Sequence, residues 1–228
     1  MQPGPRGRPR DSHIDAAVLD ATLAELDDSG YGGLTLERVA RRAGTSKPAI
    51  YRRWPNRQRL VLAALARRLG EARPPDTGCT LCDLVDGINV FVAAFRRMPP
   101  DLLGPLLADC VHDPELRAAF MTSLFDPPRA AVRQVLLRAR ARGDLRPDAD
   151  LDLTLDLFGS VVHYRALFGH AAVSDEEAER AVETVMRGIA TDYPALLAHS
   201  RRASARAHTH PHDGGSAGGR PASGGRRR

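Results

Sequence analysis

The residues with the clearest chemical potential in this sequence form a basic stretch in its N-terminal third. From Leu36 to Arg59 the chain carries eight lysine or arginine residues and a single acid, Glu37. A density of positive charge like this attracts phosphate groups and displaces their counterions. The residues on either side are acidic on balance, so the positive charge is concentrated in one place. This distribution favours a nucleic-acid-binding surface on an otherwise acidic protein.

Three cysteines offer a second kind of chemistry. Cys79 and Cys82 have the Cys-x-x-Cys spacing of zinc sites and redox-active thiols, and Cys110 is the third thiol. The sequence contains no second Cys-x-x-Cys, no histidine at metal spacing in the part expected to fold, and no strand pattern of a thioredoxin-like unit. We therefore expect thiols in a reducing cytoplasm and no metal site. A thiol- or metal-responsive protein remains the alternative.

Catalytic patterns are not found in the sequence. It has no glycine-rich phosphate loop, no nucleophile-elbow serine and no paired carboxylates with an evident pocket. Asp148, Asp150, Asp152 and Asp156 are expected to cap helices or lie on a solvated helix face. We predict no catalytic residue and no cofactor, and we do not expect an enzyme. No run of about 18 apolar residues is present, so no membrane span is expected.

Two short helices with a tight turn between them are predicted to carry the basic stretch. Thr35 can cap the first helix, whose apolar positions recur every three or four residues, and Gly44 can adopt the backbone conformation that ends it. Ser46 can cap the second helix, with Pro48 in its first turn, where a missing N–H costs little. Ile50 is expected to pack back against the first helix.

Residues 34–60, with the sequence LTLERVARRAGTSKPAIYRRWPNRQRL, resemble the helix-turn-helix of the TetR/AcrR family of one-component bacterial transcription regulators. The Ala-Gly, Ile-Tyr and Trp-Pro-Asn-Arg steps all stand in the register of that family. Apolar periodicity along the chain predicts an all-α fold of about nine or ten helices and no sheet, and the resemblance agrees with it. The resemblance also implies an N-terminal three-helix DNA-binding domain with the helix-turn-helix, followed by a larger helical ligand-binding and dimerisation domain.

The same resemblance implies which side chains lie near DNA. They are Thr35, Leu36, Thr45, Ser46, Lys47, Pro48, Ala49, Tyr51, Arg52, Arg53 and Arg57. Tyr51 and Arg57 are expected on the phosphate backbone. Lys47, Pro48, Ala49 and Arg52 are expected to face base edges, where arginine suits guanine and the apolar residues suit a thymine methyl group.

Composition and helical periodicity divide the chain into four parts. Residues 1–10 are predicted to be a disordered basic arm, able to lie along a minor groove or to remain a solvated tail, and residues 11–57 the DNA-binding domain. Residues 58–198 are predicted to be the ligand-binding and dimerisation domain, whose first helix bridges the two domains. Residues 199–228 are rich in glycine, arginine and histidine and are predicted to be a disordered tail.

The helical body is expected to hold a small-molecule effector and to pair with a second copy. Candidate ligand contacts, each of which also suits a core position, are Phe91, Phe95, Leu107, Phe120, Phe158, Val162 and His163. The helix predicted over about 149–169 is apolar nearly all round, which leaves one face to bury. The resemblance implies a homodimer through this helix and the one predicted over about 174–198, an arrangement that would present two DNA-binding motifs to a palindrome.

We therefore predict a cytoplasmic, sequence-specific DNA-binding transcriptional regulator. It is expected to act as a homodimeric repressor that a small molecule of unknown identity releases from a palindromic operator in double-stranded DNA. Two alternatives use the same DNA-binding motif. One is the thiol- or metal-responsive regulator, and the other is a constitutive DNA binder without an effector.

Overall fold

The computed structural model describes residues 12–96, 98, 101–171 and 174–208. The predicted basic arm and residues 209–228 of the predicted tail lie outside these ranges. The described residues form eleven α-helices and one π-helical segment, without a β-strand, which confirms the all-α fold. The helices are α1 (Ser12–Gly33), α2 (Leu36–Arg42), α3 (Lys47–Tyr51), α4 (Arg57–Leu69), α5 (Thr80–Arg96), α6 (Leu103–Val111), α7 (Pro114–Phe120), α8 (Asp126–Ala141), α9 (Leu151–Phe168), α10 (Asp175–Ile189) and α11 (Tyr193–His208). The π-helical segment (Met121–Phe125) joins α7 to α8.

The buried apolar side chains form two separate clusters. The first, here called the head core, draws on α1 to α4, α6, α7 and the π-helical segment, and includes Val39, Ile50, Leu65, Leu106 and Phe120. The second, here called the body core, draws on α5, α8, α9 and α10, and includes Leu84, Leu136, Phe158 and Val182. The chain therefore packs as two units that each combine distant parts of the sequence.

The head core does not end at the predicted domain boundary between residues 57 and 58. Helix α4 is buried on more than one face, and α6 and α7 return from the middle of the sequence to complete the same core. The physical reason is size, because three short helices bury too little apolar surface to be stable without further elements. The DNA-binding helices and α6 are therefore expected to move together.

The helix predicted over 174–198 is in fact two helices. Ala190 adopts extended backbone angles after α10. The backbone around it pairs with the loop before α9, where Arg146 N–H donates to Ile189 O and Thr191 N–H donates to Asp144 O, both at 2.9 Å. Asp192 then accepts a hydrogen bond from Ala195 N–H at 3.0 Å as a new helix starts.

Helix α11 continues to His208, so residues 199–208 of the predicted tail are helical. Leu196 and Leu197 of α11 pack against the body core, and Ser200 contacts α5. This apolar anchor stabilises a helix whose later residues are polar. Composition alone suggested a tail because arginine, alanine and serine are common in both settings.

The three cysteines differ in state. Cys79 and Cys82 are joined in a disulfide at the start of α5, which contradicts the expectation of free thiols there. Cys110 is free and buried in the head core. Among the described residues, no group of three or more histidine, cysteine or acidic side chains is arranged to hold a metal ion. None of the described helices is long and apolar enough to cross a membrane.

Candidate DNA-binding surface

Two side-chain caps define the start of α2 and of α3. Thr35 Oγ1 accepts a hydrogen bond from Arg38 N–H at 3.4 Å, and Ser46 Oγ accepts one from Ala49 N–H at 3.4 Å. Both residues have extended backbone angles, as N-caps require. The predicted caps are confirmed, and they fix where the second helix begins relative to the first.

The turn between α2 and α3 depends on a left-handed backbone at Gly44, where φ is 63°. Thr45 N–H donates to Ala40 O at 3.0 Å, which satisfies a carbonyl at the end of α2. Ile50 is fully buried in the head core, as predicted, together with Val39 of α2. The two helices are thus packed on each other, and the opposite side of α3 faces solvent.

The solvent-facing side of this motif, here called the candidate surface, combines hydroxyl, aromatic and basic groups. It consists of Thr35, Thr45, Ser46, Lys47, Pro48, Tyr51 and Arg52. Tyr51 is 49% exposed and Arg52 is exposed at the C-cap of α3. Exposed Arg41 of α2, which the sequence analysis did not select, is a further cation of the motif. Such groups can bind phosphates and base edges of a DNA duplex.

Lys47 on the candidate surface forms an ion pair with Glu37 of α2. This hydrogen bond is the main cause of a raised pKa of Lys47 and a lowered pKa of Glu37. Both side chains are largely exposed, so the pair contributes little to stability. Its consequence is electrostatic, because Glu37 neutralises a cation at the start of α3, the second helix of the helix-turn-helix.

Arg53 and Arg57, both predicted to contact DNA, are engaged within the protein. Arg53 forms an ion pair with Asp15 of α1 and donates to Ala49 O at 3.2 Å. The Arg57 guanidinium lies 4.5 Å from the centre of the Tyr31 ring and donates to Tyr31 O at 3.2 Å. These arginines stabilise the junction of α1 with the motif instead of extending toward solvent.

Leu36 and Ala49 also fall outside the candidate surface. Leu36 is 8% exposed and Ala49 is 9% exposed. Leu36 belongs to the head core with Val39 and Ala40, three and four residues further along α2. Helical periodicity already pointed to this result for Leu36, whereas the resemblance to a family placed it near DNA.

The acidic residues of α1 hold the basic residues of α2. Glu25 is 4% exposed and lies 2.6 Å from Arg38 Nε and 3.1 Å from Arg42 Nη1. Asp28 lies 2.6 Å from the same nitrogen of Arg42. The positive charge counted along the sequence is therefore partly neutralised, and the cations left exposed are concentrated near the turn and α3. The acidic run at residues 11–35 was the sequence signal for this pairing.

Helix α6 is hydrogen-bonded directly to α1 and α4, the helices on either side of the helix-turn-helix. Tyr31 Oη donates to Asp109 Oδ2 at 2.6 Å, and Gln58 Nε2 donates to the same oxygen at 3.0 Å. Burial is the main cause of a raised pKa of the Tyr31 hydroxyl, and the hydrogen bond to Asp109 is the second cause. The same hydrogen bond is the main cause of a lowered pKa of Asp109. The sequence held no signal for this contact because Tyr31 and Asp109 are 78 residues apart.

The predicted ligand residues whose side chains the structure describes are divided between the two cores and one cleft. Leu107 and Phe120 pack with the head core, whereas Phe158 and Val162 are buried in the body core. The side chains of Phe91 and Phe95 lie outside the described part of the structure, although both residues belong to α5. His163, another of the candidates, lines a cleft.

That cleft lies between α8, α9 and the π-helical segment and has a volume of about 210 Å³. Its lining residues are Phe125, Arg129, Leu155, Asp156, Gly159, Ser160 and His163. Arg129 pairs with Asp156 at 2.9 Å, and the His163 ring lies 5.2 Å from the Phe125 ring. His163 Nδ1 is 2.6 Å from Gly159 O, and burial lowers the pKa of this imidazole. Because Phe125 packs with the head core and Leu155 with the body core, the cleft lies where the two units meet.

A helix-turn-helix with an exposed basic recognition helix, carried by a larger all-helical body, defines a DNA-binding transcriptional regulator. Comparison with known proteins agrees. The family model described as "Bacterial regulatory proteins, tetR family" matches residues 18–64, and the model of the "Tetracyclin repressor-like, C-terminal domain" matches residues 74–185. The chain belongs to the TetR family of transcriptional regulators.

Several individual relatives are similar over most of their length. A DNA-binding transcriptional repressor TetR of Mycobacteroides abscessus is 31% identical over 68% of this chain and 82% of its own. The uncharacterized regulator YdeS of Bacillus subtilis is 26% identical over 81% of this chain and 93% of its own. The crystal structure of the TetR-family regulator SCO0332 superposes with a TM-score of 0.62 at 32% identity, covering 77% of this chain and 98% of that one.

Proposed function

We propose that this regulator is a homodimeric repressor that binds a palindromic operator and leaves it when a small molecule occupies its helical body. DNA binding by the family supports the first part. The relative from M. abscessus, named as a repressor, supports the sign of regulation. The observation that carries the release step is the pair of hydrogen bonds that Tyr31 of α1 and Gln58 of α4 donate to Asp109 of α6, because they tie a segment from the middle of the chain to the helices that hold the helix-turn-helix.

An apolar stripe on α9 supports the dimer. Leu153, Leu157, Tyr164, Leu167 and Phe168 recur at helical spacing, and each is between 45% and 69% exposed. A single large apolar residue on a surface is ordinary, but a continuous row along one helix favours an interface. Two copies that bury this row against each other would form a two-fold interface and present two candidate surfaces to one DNA duplex.

The cleft beside His163 is the site that we propose for the effector. It combines apolar walls from Phe125 and Leu155 with the ion pair of Arg129 and Asp156, a mixture typical of small-molecule sites. An occupant would contact the head core on one side and the body core on the other. If it favours a different spacing of the two units, the DNA-binding helices must shift with α6.

The experiment is selection of bound fragments from sheared genomic DNA by the full-length chain, followed by titration of the recovered site. We expect one inverted repeat, bound by two copies of the chain and preferred by at least about 1,000-fold over random duplex. Equal affinity for all duplexes would instead indicate a constitutive architectural binder. Compounds related to the products of neighbouring genes are then tested for release, with effector contacts checked by the variant Phe125→Ala.

A further inference from the structure

The disulfide between Cys79 and Cys82 lies beside a second cleft, on the body and away from the candidate surface. This cleft has a volume of about 170 Å³ and lies between α5, α10 and α11. Its lining residues are Leu81, Cys82, Val85, Asp86, Glu179, Val182, Glu183, Leu197, Ser200 and Ser204. Cys82 is partly exposed there, whereas Cys79 is only 2% exposed. Solvent and small molecules can therefore reach one of the two sulfurs.

The two sulfurs also differ in what surrounds them. Cys79 Sγ accepts a hydrogen bond from Cys82 N–H at 3.3 Å and lies at the N-terminus of a helix of 17 residues. Both features stabilise negative charge on that sulfur. Cys82 Sγ lies 3.5 Å from Ser200 Oγ of α11. Cys79 is thus the better leaving group and Cys82 the more accessible point of attack.

A structural role explains this disulfide poorly. Only two residues separate the cysteines, and a crosslink stabilises a fold least when the loop that it closes is short. The cysteines also lie within one turn of a helix that is already packed in the body core, so they join no distant elements. These facts favour a chemical role over a structural one.

We propose that Cys79 and Cys82 form a reversible thiol–disulfide exchange site, which low-molecular-weight thiols enter through the cleft at Cys82. In the first step a thiolate attacks Cys82 Sγ, a mixed disulfide forms, and the electron pair of the broken S–S bond leaves on Cys79 Sγ. In the second step another thiolate attacks the sulfur of the bound thiol. This releases Cys82 as a thiolate and gives the disulfide RSSR of the two external thiols. Two external thiols are oxidised and the protein disulfide is reduced.

The charge of the cleft selects among thiols. Its lining residues include the carboxyl groups of Asp86, Glu179 and Glu183 and no basic side chain. Arg187, which is not part of the lining, pairs with Glu183 at 3.8 Å, so the net negative charge comes mainly from Asp86 and Glu179. An anionic thiol is repelled by these groups, whereas a cationic thiol is attracted. Relative to the rate of the same thiol with the unfolded chain, which cancels its intrinsic nucleophilicity, we expect the largest rate for cysteamine, a smaller one for 2-mercaptoethanol and the smallest for thioglycolate.

The test measures the reduction of the oxidised full-length protein by these three thiols at low ionic strength, with the urea-unfolded chain as the reference. We expect the ratio of cysteamine to thioglycolate rates to be about tenfold higher for the folded protein. An equal ratio in both states would overturn the selection by charge. Reduction that proceeds only after global unfolding would overturn the site itself.

A pair of variants identifies the point of attack. Cys79→Ser leaves Cys82 free, and Cys82→Ser leaves Cys79 free. Treatment with cystamine followed by mass spectrometry should modify Cys82 at least about tenfold faster than Cys79, with the buried Cys110 as an unreactive internal control. Equal reactivity, or faster reaction at Cys79, would contradict the proposal. Should a variant not fold, alkylation mapping of the partially reduced natural chain gives the same comparison.

Discussion

The hydroxyl of Tyr31 donates a hydrogen bond of 2.6 Å to the carboxylate of Asp109, joining the end of α1 to α6. Tyr31 is 3% exposed, whereas the carboxylate of Asp109 belongs to a partly exposed residue. A hydrogen bond to a charged group contributes about 1.5–3 kcal/mol in such a setting. Because Gln58 of α4 donates to the same oxygen, Asp109 holds α1 and α4 at once.

Removing the hydroxyl of Tyr31 should weaken the contact between α6 and α1. We expect Tyr31→Phe to lower the free energy of unfolding by about 1.5–3 kcal/mol, measured by urea denaturation. Tyr51→Phe is the matched control in this measurement without DNA, since Tyr51 is 49% exposed, and it should change stability by less than about 0.5 kcal/mol. Equal effects of the two variants would show that the bond to Asp109 contributes nothing specific.

Arg52, at the C-cap of α3, is the exposed arginine beside this helix that we expect to read a base. We expect Arg52→Ala to weaken binding to the selected operator by about 1–3 kcal/mol and to relax the preference at one position of each half-site. Fluorescence anisotropy on operator and random duplexes measures both effects. Arg67→Ala on α4, which removes an exposed arginine paired with Asp20, is the control. A loss of the same size on both duplexes would assign Arg52 to the phosphate backbone.

Glu37 limits the positive charge of the candidate surface through its pair with Lys47. Glu37→Gln should therefore raise affinity for random duplex a few-fold at low salt and steepen the dependence of log K on log salt by about one. Glu71→Gln removes the acid of a comparable exposed pair with Arg73 and serves as the control. An unchanged salt slope would mean that Lys47 does not contact DNA.

The exposed row on α9 should be the site of self-association. We expect Leu157→Glu to weaken the dimer by at least about 100-fold, since each copy loses the burial of a leucine, worth about 1.5–3 kcal/mol. Sedimentation velocity measures this change, and operator affinity should fall with it. Val111→Glu on α6, where the valine is 63% exposed, should leave the dimer intact. A dimer insensitive to Leu157→Glu would place the interface elsewhere.

His163 should make stability depend on pH in a defined window. Burial lowers the pKa of its imidazole below the usual 6.5, so the unfolded chain takes up a proton more readily than the folded one as the pH falls below about 6.5. We expect the free energy of unfolding to fall as the pH is lowered from 7 to 5.5; the ion pair of Arg129 and Asp156 lines the same cleft as His163.

The variant His163→Gln should lose less stability than the natural chain over that interval, as urea titrations at the two pH values would show. His199→Gln, which replaces an exposed histidine of α11, should behave like the natural chain. If His163→Gln retains the full decrease, another group is responsible.

Local signals in the sequence were sufficient for the motif. Thr35 and Ser46 were identified as caps and Gly44 as the turn because capping and left-handed backbone depend on the residue itself and its immediate neighbours. The apolar spacing of α9 likewise predicted a helix with a face left to bury, since periodicity is also a local property.

Contacts between distant residues could not be predicted in this way. Nothing near Arg53 or Arg57 in the sequence indicates that Asp15 and Tyr31 engage them, and the resemblance to a family predicts only that both lie near DNA. The break at Ala190 depends on backbone pairing with the loop at residues 144–146. The state of Cys79 and Cys82 depends on their geometry at a helix start, which spacing allows but does not determine.

The return of α6 and α7 into the head core has a consequence for protein engineering. A chimera that grafts only the first sixty or so residues onto an unrelated sensor would leave Leu65 and Val61 without Leu106 and Phe120, and the fusion would be prone to aggregate. Exchange of specificity is better achieved by replacing surface side chains of α3 within the intact chain. Otherwise the grafted unit must include α6 and α7 as well as α1 to α4, although more than thirty residues, containing α5, separate α4 from α6 along the chain.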